Sequence, residues 1–585
     1  MNAANLNQCW AGLIMEELAR NGVRHVYIAP GSRSTPLVVA AVQHQKMSVM
    51  THYDERGAAF AALGSGRMGN TAAILCTSGT AVANCFPAVA EARQAAIPLV
   101  VISADRPLEL HNCGANQTMP QQGIFGVHVR ADLALPCPTH DVPWEDLLTQ
   151  LDTLVAAAGT PGKGGPVHLN CMFREPLLAD VGQDAVSDPN TAAIRQWRAS
   201  TAPFTDQAAS SRGLSEAHQA EIVAVVRGAE RGLLLAGRLY TEKERDAVLR
   251  LARRLQWPLF ADITSGCRRC GDGIQLISSH DVLLRSENCR AAYSPDVILH
   301  LGDTFVSKAL LTYLEAMRPV YMQLLERGEV RDPAHRVTHR YHVDIPTGCE
   351  QLNTALDEVS PCTVSAAPLS EADRRVQQGI SERIDADRQF AGIHVVDAVN
   401  SFCDDSSLLF VGNSMPVRIL DAICSHCAAF PVHANRGVSG IDGNIATLVG
   451  MAHAADRPAV AILGDVTTLH DMNSLGLLTH IKTSLVLVVI NNGGGGIFSM
   501  LPIAKHPELL GPYFVNRHEW RFASVADMFA LPYCAVASKV EMNNALEKTA
   551  AEGGPAIIEA IVDETDADQF RMLLRDAVAM TDRLF

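Results

Sequence analysis

Two short apolar runs, 459–463 and 485–490, constrain the fold more than any other feature of the chain. Each run ends in a polar pair, the first containing Asp465 and the second Asn492. The residues between them begin acidic and polar and continue with apolar side chains at helical spacing, which predicts a helix. A strand, a helix and a second strand place the two strands parallel in one sheet. Both polar pairs would then lie at its carboxyl edge, where open α/β sheets bind ligands.

The residue types at that edge are those of a metal and diphosphate site. Asp465 offers a carboxylate and Asn492 an amide oxygen, which are ligands that suit Mg²⁺. The glycine run 493–496 would let the backbone approach a phosphate and offer a carbonyl to the metal. A Gly-Asp pair, a gap of about 26 residues and an Asn-Asn pair resemble the signature of thiamine diphosphate enzymes. The alternative is a loop aspartate and a glycine-rich turn in an ordinary α/β protein.

Composition restricts the class of protein. The chain has 585 residues, enough for about three domains of ordinary size. Its formal net charge of −15 argues against a general nucleic-acid or acidic-membrane surface. No run approaches the roughly 18 apolar residues that cross a bilayer. Fifteen cysteines without a recognisable signal peptide indicate reduced thiols, so we expect a cytoplasmic protein with no membrane span and no nucleic-acid partner.

Two short motifs are weaker indications of function. The Cys-x-x-Cys pairs at 267–270 and 424–427 could share a structural zinc ion, although coincidence is the favoured interpretation. The segment 64–69 matches Gly-x-Gly-x-x-Gly. It follows a helical stretch instead of a strand and opens no helix, which predicts a helix end and a turn instead of a dinucleotide site.

Alternating helical and strand-like segments predict three doubly wound α/β domains with parallel sheets. Residues 1–180 form the first domain, in which each strand delivers polar residues at its carboxyl end. Residues 181–213, rich in Asp, Ser, Thr, Ala and Pro, are predicted to be a linker. A central α/β domain at 214–356 and a second linker at 357–374 follow. The third domain, 375–585, resumes the pattern of the first.

An internal repeat relates the first and third domains. The motif GSRSTP at 31–36 is echoed by GNSMP at 412–416, and HYDERGAAFAALG is echoed by HANRGVSGIDGNIATLVG. The first copy has Glu55 where the second has Arg436, and only the second has the metal motif. A ligand bridging two such domains fits thiamine diphosphate, with Glu55 against the aminopyrimidine. Taken alone, Glu55 would more often be a helix N-cap.

Several longer motifs carry a specific resemblance. They are APGSRSTPL, DERGAAFAALG, TSGTAVAN, ADRPLEL, GANQT, GNSMPVR, NRGVSGIDG and NNGGGGIFSMLP, which span all three domains in order. With these motifs the chain resembles the menaquinone-pathway 2-succinyl-5-enolpyruvyl-6-hydroxy-3-cyclohexene-1-carboxylate synthases. The resemblance implies thiamine diphosphate and Mg²⁺ or Mn²⁺ as cofactors. It also implies 1,4-addition of a succinyl carbanion equivalent from 2-oxoglutarate to isochorismate, with loss of CO₂, in a homodimer or homotetramer whose active sites lie between subunits.

The resemblance also assigns residues by position. Glu55 resembles the glutamate that activates the pyrimidine, and Ile441 the apolar wedge that bends the cofactor. Asp465, Asn492 and the Gly494 carbonyl resemble the metal ligands, and Gly79 and Gly464 further cofactor contacts. Substrate contacts are implied for Ser32, Arg33, Arg106, Asn116, Gln117, Lys308, Ser414, Arg418, Arg436, Phe498 and Leu501.

Two departures and two alternatives accompany this resemblance. The chain has Gly493 where the family often has a third asparagine, and Ala309 where some relatives carry arginine. Another thiamine diphosphate-dependent 2-oxo-acid carboligase or decarboxylase is the nearest alternative. A non-catalytic scaffold stapled by zinc is the alternative from a different class. Ser414 and Arg418, four residues apart at a helix start, are predicted to hold the distal carboxylate of 2-oxoglutarate. Otherwise Ser414 caps the helix and Arg418 pairs with an acid such as Asp421.

Overall fold

The computed structural model of the chain describes residues 3–178, 191–208, 211–356, 366–425 and 432–585. Three six-stranded sheets, with every strand pair parallel, hold the described strands. Helices connect the strands, as parallel neighbours require. The predicted fold class, three doubly wound α/β domains, is confirmed.

The first sheet lies in the segment predicted as the first domain, and its strand order is β2-β1-β3-β4-β6-β5. Every residue of β3, β4 and β6 is buried, because helices cover both faces. The strands are β1 His25–Ile28, β2 Ser48–Thr51, β3 Ala72–Cys76, β4 Leu99–Asp105, β5 Asp132–Leu135 and β6 Pro166–Met172. The helices are α1 Ala3–Arg20, α2 Thr35–Gln43, α3 Glu55–Arg67, α4 Thr80–Asn84, α5 Phe86–Ala95, α6 Trp144–Ala158 and α7 Ala192–Ala199.

The second sheet lies in the predicted central domain and has the order β12-β11-β10-β7-β8-β9. Its strands are β7 Gly232–Ala236, β8 Pro258–Ala261, β9 Gln275–Leu276, β10 Val297–Leu301, β11 Val320–Leu325 and β12 His339–His342. Its helices are α8 Glu216–Arg227, α9 Glu242–Leu255, α10 His280–Leu283, α11 Glu287–Ala292, α12 Lys308–Ala316 and α13 Ile345–Ala355.

The third sheet has the order β14-β13-β15-β16-β18-β17. Its strands are β13 Leu408–Val411, β14 Val432–His433, β15 Ala459–Gly464, β16 Leu485–Asn491, β17 Tyr533–Val536 and β18 Pro555–Ile561. The helices of this part of the chain are α14 Ala367–Ala386, α15 Gly392–Phe402, α16 Met415–Ile423, α17 Asn444–Ala455, α18 Asp465–His470, α19 Leu475–Leu478, α20 Pro507–Leu510, α21 Ala523–Met528, α22 Lys539–Glu552 and α23 Asp566–Asp582.

The strand orders bear on the predicted repeat. Numbered within its own domain, the third sheet has the order 2-1-3-4-6-5, which is also the order of the first. The central sheet has the order 6-5-4-1-2-3 and therefore a different winding. Sheets one and three thus share one topology, as the sequence repeat predicts. In that topology the order reverses between the first and third strands, which marks the ligand-binding crevice of such sheets.

The predicted helix between β15 and β16 is broken. It consists of α18, a 3₁₀ turn at Met472–Ser474 and α19. At the break, the Asp471 side chain accepts hydrogen bonds from the backbone N–H groups of Ile445 and Ala446, at 2.7 and 3.1 Å. The chain leaves helical geometry there because this carboxylate caps the first turn of α17.

The first predicted linker contains a helix, α7, which the composition of that segment did not indicate. Trp197 on α7 donates from Nε1 to Glu17 Oε2 at 2.7 Å, and the backbone N–H of Phe204 donates to Glu17 Oε1 at 2.5 Å. A buried carboxylate of α1 therefore fastens the segment to the first domain. The boundaries of domains and linkers otherwise stay predictions, and much of the second linker lies outside the described residues.

The contacts divide the chain into two compact units. The first unit comprises 1–209, 435–456 and 469–482, and the second comprises the remaining residues. Within the first unit α3 packs against α17 at two glycines. A Cβ on Gly64 would lie 2.0 Å from Thr447 O, and a Cβ on Gly450 would lie 1.8 Å from Ala61 O. The two contacts are reciprocal at matching positions of the sequence repeat, so the two helices cross backbone to backbone.

The Gly-x-Gly-x-x-Gly match and the Cys-x-x-Cys pairs can be compared with the structure. Helix α3 ends at Arg67, and Gly69 has a φ of +97°, so 64–69 is a helix end and turn as predicted. Among the described residues no group of three or more His, Cys, Asp or Glu side chains could hold a metal ion. Cys427 of the second Cys-x-x-Cys pair lies outside those residues.

Of the helices in the described ranges, none has the length and apolar character needed to cross a membrane.

Candidate functional site

The predicted metal motif is assembled at the carboxyl ends of β15 and β16. These strands are parallel neighbours from Ala459 opposite Leu485 to Gly464 opposite Ile490, so Asp465 and Asn492 emerge side by side. Asp465 is only 2% exposed. Its Oδ1 accepts the Val466 N–H at 2.6 Å, and its Oδ2 accepts the Gly494 N–H at 2.9 Å. Burial raises the pKa of this carboxyl, and the backbone donors oppose that rise.

Three oxygen atoms lie close together here, and one of them is Asp465 Oδ2. The Asn492 amide donates from Nδ2 to Asp566 Oδ2 at 3.4 Å, so its oxygen points the other way. That oxygen position lies 3.3 Å from Asp465 Oδ2 and 2.6 Å from the Gly494 carbonyl oxygen. Exchanging the amide oxygen and nitrogen would turn both contacts into hydrogen bonds, but it would direct an oxygen at the Asp566 carboxylate. In the orientation that donates to Asp566, the Asn492 oxygen, the Gly494 carbonyl oxygen and Asp465 Oδ2 face one another, and oxygen ligands are those that Mg²⁺ takes.

The glycine run has the close approach that the sequence predicts. Gly493 and Gly494 have φ values of +73° and +147°, which side chains disfavour. A Cβ on Gly494 would lie 2.6 Å from the Val515 carbonyl oxygen, and the Gly495 N–H donates to that oxygen at 2.7 Å. The loop is therefore held against the segment around Val515 in a shape that requires glycine at 494.

Glu55 begins α3 without capping it. The N-cap is Asp54, whose side chain accepts the Arg56 N–H at 2.9 Å. Glu55 is half-buried, and its Oε2 accepts a hydrogen bond from Asn84 Nδ2 at 3.3 Å. The capping role that a lone glutamate would most often have thus belongs to its neighbour, which leaves the Glu55 carboxylate available for another role.

Polar residues from several strand ends meet at the carboxyl edge of the first sheet. Arg106 follows β4 and donates from Nη1 to Ser78 Oγ beyond β3. Gln117, with a φ of +58°, donates from Nε2 to the Ser78 carbonyl at 2.9 Å. Gly79 has a φ of +81° and donates its N–H to Gln121 Oε1 at 2.8 Å. The loop after β3 is therefore surrounded by residues that the resemblance assigns to substrate and cofactor.

A second arginine lies close to Arg106. Arg33 follows β1, is 6% exposed, and donates to Phe173 O at 3.0 Å and to Glu175 Oε1 at 2.9 Å. Burial, and next the positive charge of Arg33, lower the pKa of Arg106. Two guanidinium groups beside a strand-order reversal form a candidate anion site. Ser32 and Asn116 are exposed in the loops next to it.

In the second unit, Ser414 and Arg418 are brought together at the start of α16. Ser414 has a φ of +72°, and its side chain caps no helix N–H. Arg418 Nη1 donates to the Ser414 carbonyl at 2.5 Å. Asp421 is 2% exposed and bound by the Arg268 guanidinium, so Arg418 does not pair with it. Within the described part of the chain Arg418 has no carboxylate within 4 Å. Burial lowers the pKa of Arg418, and the charge of the Asp281 carboxylate opposes this change.

The remaining predicted residues are more scattered. Lys308 is exposed at the first position of α12, behind the N-cap Ser307. Phe498 packs edge to face with Phe514 at 5.6 Å, and Leu501 is 42% exposed. Arg436 and Ile441 lie in the first unit, partly exposed, in the loop before α17.

Glu91, a buried carboxylate that the sequence analysis did not identify, holds the loop before α17. Glu91 on α5 is 1% exposed and accepts the N–H groups of Gly437 and Val438 at 2.8 and 2.7 Å. Arg67 Nη2 donates to both Glu91 Oε1 and Asn435 Oδ1. The backbone between Arg436 and Ile441 is thereby fixed from α3 and α5, but no periodicity or motif marks Glu91 in the sequence.

Three family profiles match the chain. They are the thiamine pyrophosphate enzyme N-terminal TPP binding domain over residues 10–128, the middle domain of thiamine pyrophosphate over 188–411, and the thiamine pyrophosphate enzyme C-terminal TPP binding domain over 430–560. The two binding domains contain the edges that bear Glu55 and Asp465. The chain therefore carries both thiamine diphosphate-binding domains.

Comparison with individual curated proteins identifies the family more closely. A 2-succinyl-5-enolpyruvyl-6-hydroxy-3-cyclohexene-1-carboxylate synthase of Rubrobacter xylanophilus is 39% identical over 579 residues, covering 98% of both chains. Synthases of the same name from Salinibacter ruber and Prosthecochloris aestuarii are 37% and 36% identical, covering 99% and 96% of this chain and 98% and 95% of theirs. The chain belongs to the 2-succinyl-5-enolpyruvyl-6-hydroxy-3-cyclohexene-1-carboxylate synthase family. Membership in this synthase family confirms the resemblance drawn from the motifs.

Proposed function

We propose that the chain decarboxylates 2-oxoglutarate and adds the remaining succinyl unit to isochorismate by 1,4-addition, in menaquinone biosynthesis. The product is 2-succinyl-5-enolpyruvyl-6-hydroxy-3-cyclohexene-1-carboxylate, with release of CO₂. The observation that carries this proposal is the match over nearly the whole chain to synthases of that name. The oxygen cluster of Asp465, Asn492 and Gly494 supports it, because a diphosphate cofactor needs a divalent metal at such an edge.

The proposed cofactors are thiamine diphosphate and Mg²⁺ or Mn²⁺. When bound, the cofactor supplies the electron sink for the decarboxylation. Asp465, Asn492 and the Gly494 carbonyl would hold the metal, and the loop after Gly464 would face the diphosphate. We propose that Glu55 shares a proton between its Oε and the pyrimidine, in a homodimer or homotetramer whose active sites lie between subunits. Gly79 and Ile441 would contact the same cofactor.

The substrates are anions, whereas the chain carries a net charge of −15, so recognition must use local cations. Arg33 and Arg106 in the first unit, and Arg418 with Ser414 in the second, are the groups best placed for it. The α16 N-terminus adds free N–H groups beside Ser414. The further proposed contacts are Ser32, Asn116, Gln117, Lys308, Arg436, Phe498 and Leu501. We further propose that the enzyme works in the cytoplasm.

A reconstituted reaction tests the proposal. Protein, thiamine diphosphate, Mg²⁺, 2-oxoglutarate and isochorismate are mixed, and the loss of isochorismate is followed optically. We expect loss only when all components are present, and none with Asp465→Ala. Loss that proceeds equally well with pyruvate in place of 2-oxoglutarate would favour another thiamine diphosphate carboligase. Release of CO₂ without isochorismate loss would favour a simple decarboxylase.

A further inference from the structure

A buried imidazole lies against the carboxylate assigned to the metal. His518, in the irregular segment between α20 and α21, has a side chain only 2% exposed. Its Nε2 lies 3.3 Å from Asp465 Oδ2, within ion-pair distance. This nitrogen has no aligned hydrogen-bond partner within the described residues. Because a buried polar nitrogen without a partner is costly, its place beside Asp465 calls for a reason.

The other ring nitrogen determines which atom carries the proton. The backbone N–H of Trp520 donates to His518 Nδ1 at 3.3 Å, so Nδ1 offers its lone pair. A neutral imidazole then has its proton on Nε2, which makes Nε2 a donor. A protonated Nε2 has no lone pair for a metal, so His518 cannot be a ligand through this atom. The 3.3 Å contact from Nε2 to Asp465 Oδ2 is not aligned as a hydrogen bond in this structure, and a small rotation of the carboxylate would align it with the Nε2–H group.

Two further contacts fix the imidazole in place. Its ring stacks on Trp520 with centroids 4.9 Å apart and planes inclined by 12°. The His518 backbone N–H donates to the Gly493 carbonyl at 3.1 Å, and a Cβ on Gly493 would lie 2.9 Å from the His518 carbonyl oxygen. The glycine at 493 therefore leaves room for the His518 backbone. The chain therefore has glycine at 493, where the family often has asparagine, and His518 places an imidazole beside the same site.

We propose that His518 is a positioning residue for the metal site, whose Nε2–H holds Asp465 in the orientation that binds the divalent ion. The proposal rests on the proposed function, because it takes Asp465 to be a metal ligand. Hydrogen bonds to metal-binding carboxylates orient them, and losing such a partner typically weakens metal affinity about 10- to 100-fold. The expected consequence is therefore a change in metal affinity, with the fold and the affinity for substrate largely kept.

The test measures Mn²⁺ affinity directly. Free Mn²⁺ is monitored by electron paramagnetic resonance in the presence of the full chain and saturating thiamine diphosphate, without substrate. His518→Met and His518→Gln form a matched pair, since both side chains are unbranched and similar in length but only glutamine can donate. We expect the Kd for Mn²⁺ to rise about 10- to 100-fold in His518→Met and clearly less in His518→Gln. His506→Met, at an exposed histidine just before α20, should not change it.

The outcomes separate this inference from the proposed function. Wild-type Mn²⁺ affinity in His518→Met, or equal losses in the methionine and glutamine variants, would overturn the positioning role. Unchanged Mn²⁺ affinity in Asp465→Ala would show instead that the proposed metal site is wrong. Far-UV circular dichroism checks the fold of each variant. If His518→Met does not fold, His518→Phe replaces it, because phenylalanine keeps a ring against Trp520 and also lacks the donor.

Discussion

The reciprocal contact of α3 and α17 makes Gly450 sensitive to the smallest possible substitution. An added Cβ would lie 1.8 Å from Ala61 O, and one on Gly64 would lie 2.0 Å from Thr447 O. Both neighbouring atoms belong to the backbone and cannot rotate away, so the two helices would have to separate. Because Glu55 is the first residue of α3, a shift of this helix would also move the proposed catalytic carboxylate.

The magnitude follows from comparing Gly450 with a glycine in open space. Overpacking costs about 1–3 kcal/mol, and a rigid backbone contact belongs at the upper end of that range. Alanine gains about 1 kcal/mol over glycine in a helix interior, so Gly450→Ala should lose about 2 kcal/mol. Gly12 on α1 has nothing within 4 Å of its added Cβ, and Gly12→Ala should gain about 1 kcal/mol. Both variants replace glycine by alanine in a helix, so the gain in helix propensity is the same in each. The expected difference of about 3 kcal/mol between Gly450→Ala and Gly12→Ala is therefore the steric cost at Gly450.

Urea unfolding, followed by tryptophan fluorescence and circular dichroism, measures this difference. Two probes are needed because a chain of several domains need not unfold in one step. Hydrogen exchange of the α3 and α17 amides would assign the change to the helix pair. Gly64→Ala should reproduce the loss from the other side of the contact. If Gly450→Ala proves as stable as Gly12→Ala, the backbone contact between the helices is not present as described.

Two further predictions concern proposed site residues, and a third concerns the stability contribution of the buried His52. Glu55→Gln should keep cofactor affinity but lose most turnover, because an amide cannot share a proton with the pyrimidine; turnover within about threefold of wild type, under ~1 kcal/mol in the barrier, would exclude this role. Arg418→Ala should lower kcat/KM for 2-oxoglutarate about 10- to 150-fold, the value of a charged hydrogen bond, and that for pyruvate much less; equal losses would mean that Arg418 serves the acceptor or the scaffold. Burial lowers the pKa of His52 to about 4, so its folded form binds fewer protons than the unfolded chain between pH 6.5 and 4. The free energy of unfolding should therefore fall as the pH drops through this window, by up to about 3 kcal/mol from this residue. Urea unfolding at pH 7, 6 and 5 measures this, and the midpoint of the wild type should fall more steeply with pH than that of His52→Gln. Equal slopes would contradict the prediction.

The sequence predicted the sheets well because buried parallel strands are short apolar runs with polar ends. The predicted runs at 459–463 and 485–490 became β15 and β16 with shifts of one residue. Several strands were not predicted, among them β6, whose buried residues include His168 and Asn170 with partners that are distant in sequence. The break after α18 was also missed, because Asp471 caps a helix that begins about 27 residues earlier. Long-range side-chain contacts of this kind leave no local periodicity.

The site was predictable to the same extent and for the same reason. Asp465 and Asn492 meet because neighbouring parallel strands end at one edge, which the strand pattern alone implies. His518 reaches that edge from an irregular segment 53 residues after Asp465, and neither its spacing nor its neighbours mark it. Residues that a strand end delivers were therefore foreseeable, whereas residues that a loop delivers were not.

Buried carboxylates in the described residues are satisfied either by an ion pair or by uncharged N–H and O–H donors. Asp421 is neutralised by Arg268 and Glu91 by Arg67, both through direct ion pairs. Asp465 is equally buried, yet within the described residues no Arg or Lys lies within 4 Å of it. A buried carboxylate that lacks a cation costs several kcal/mol, which backbone N–H groups offset only in part. In the described part of the chain the buried Asp471 also lacks an Arg or Lys within 4 Å, but its oxygens accept from Ser474 Oγ and from the N–H groups of Ile445 and Ala446. Asp465 Oδ2 differs because the Asn492 amide oxygen lies 3.3 Å from it, a contact between two acceptors that a divalent cation would satisfy.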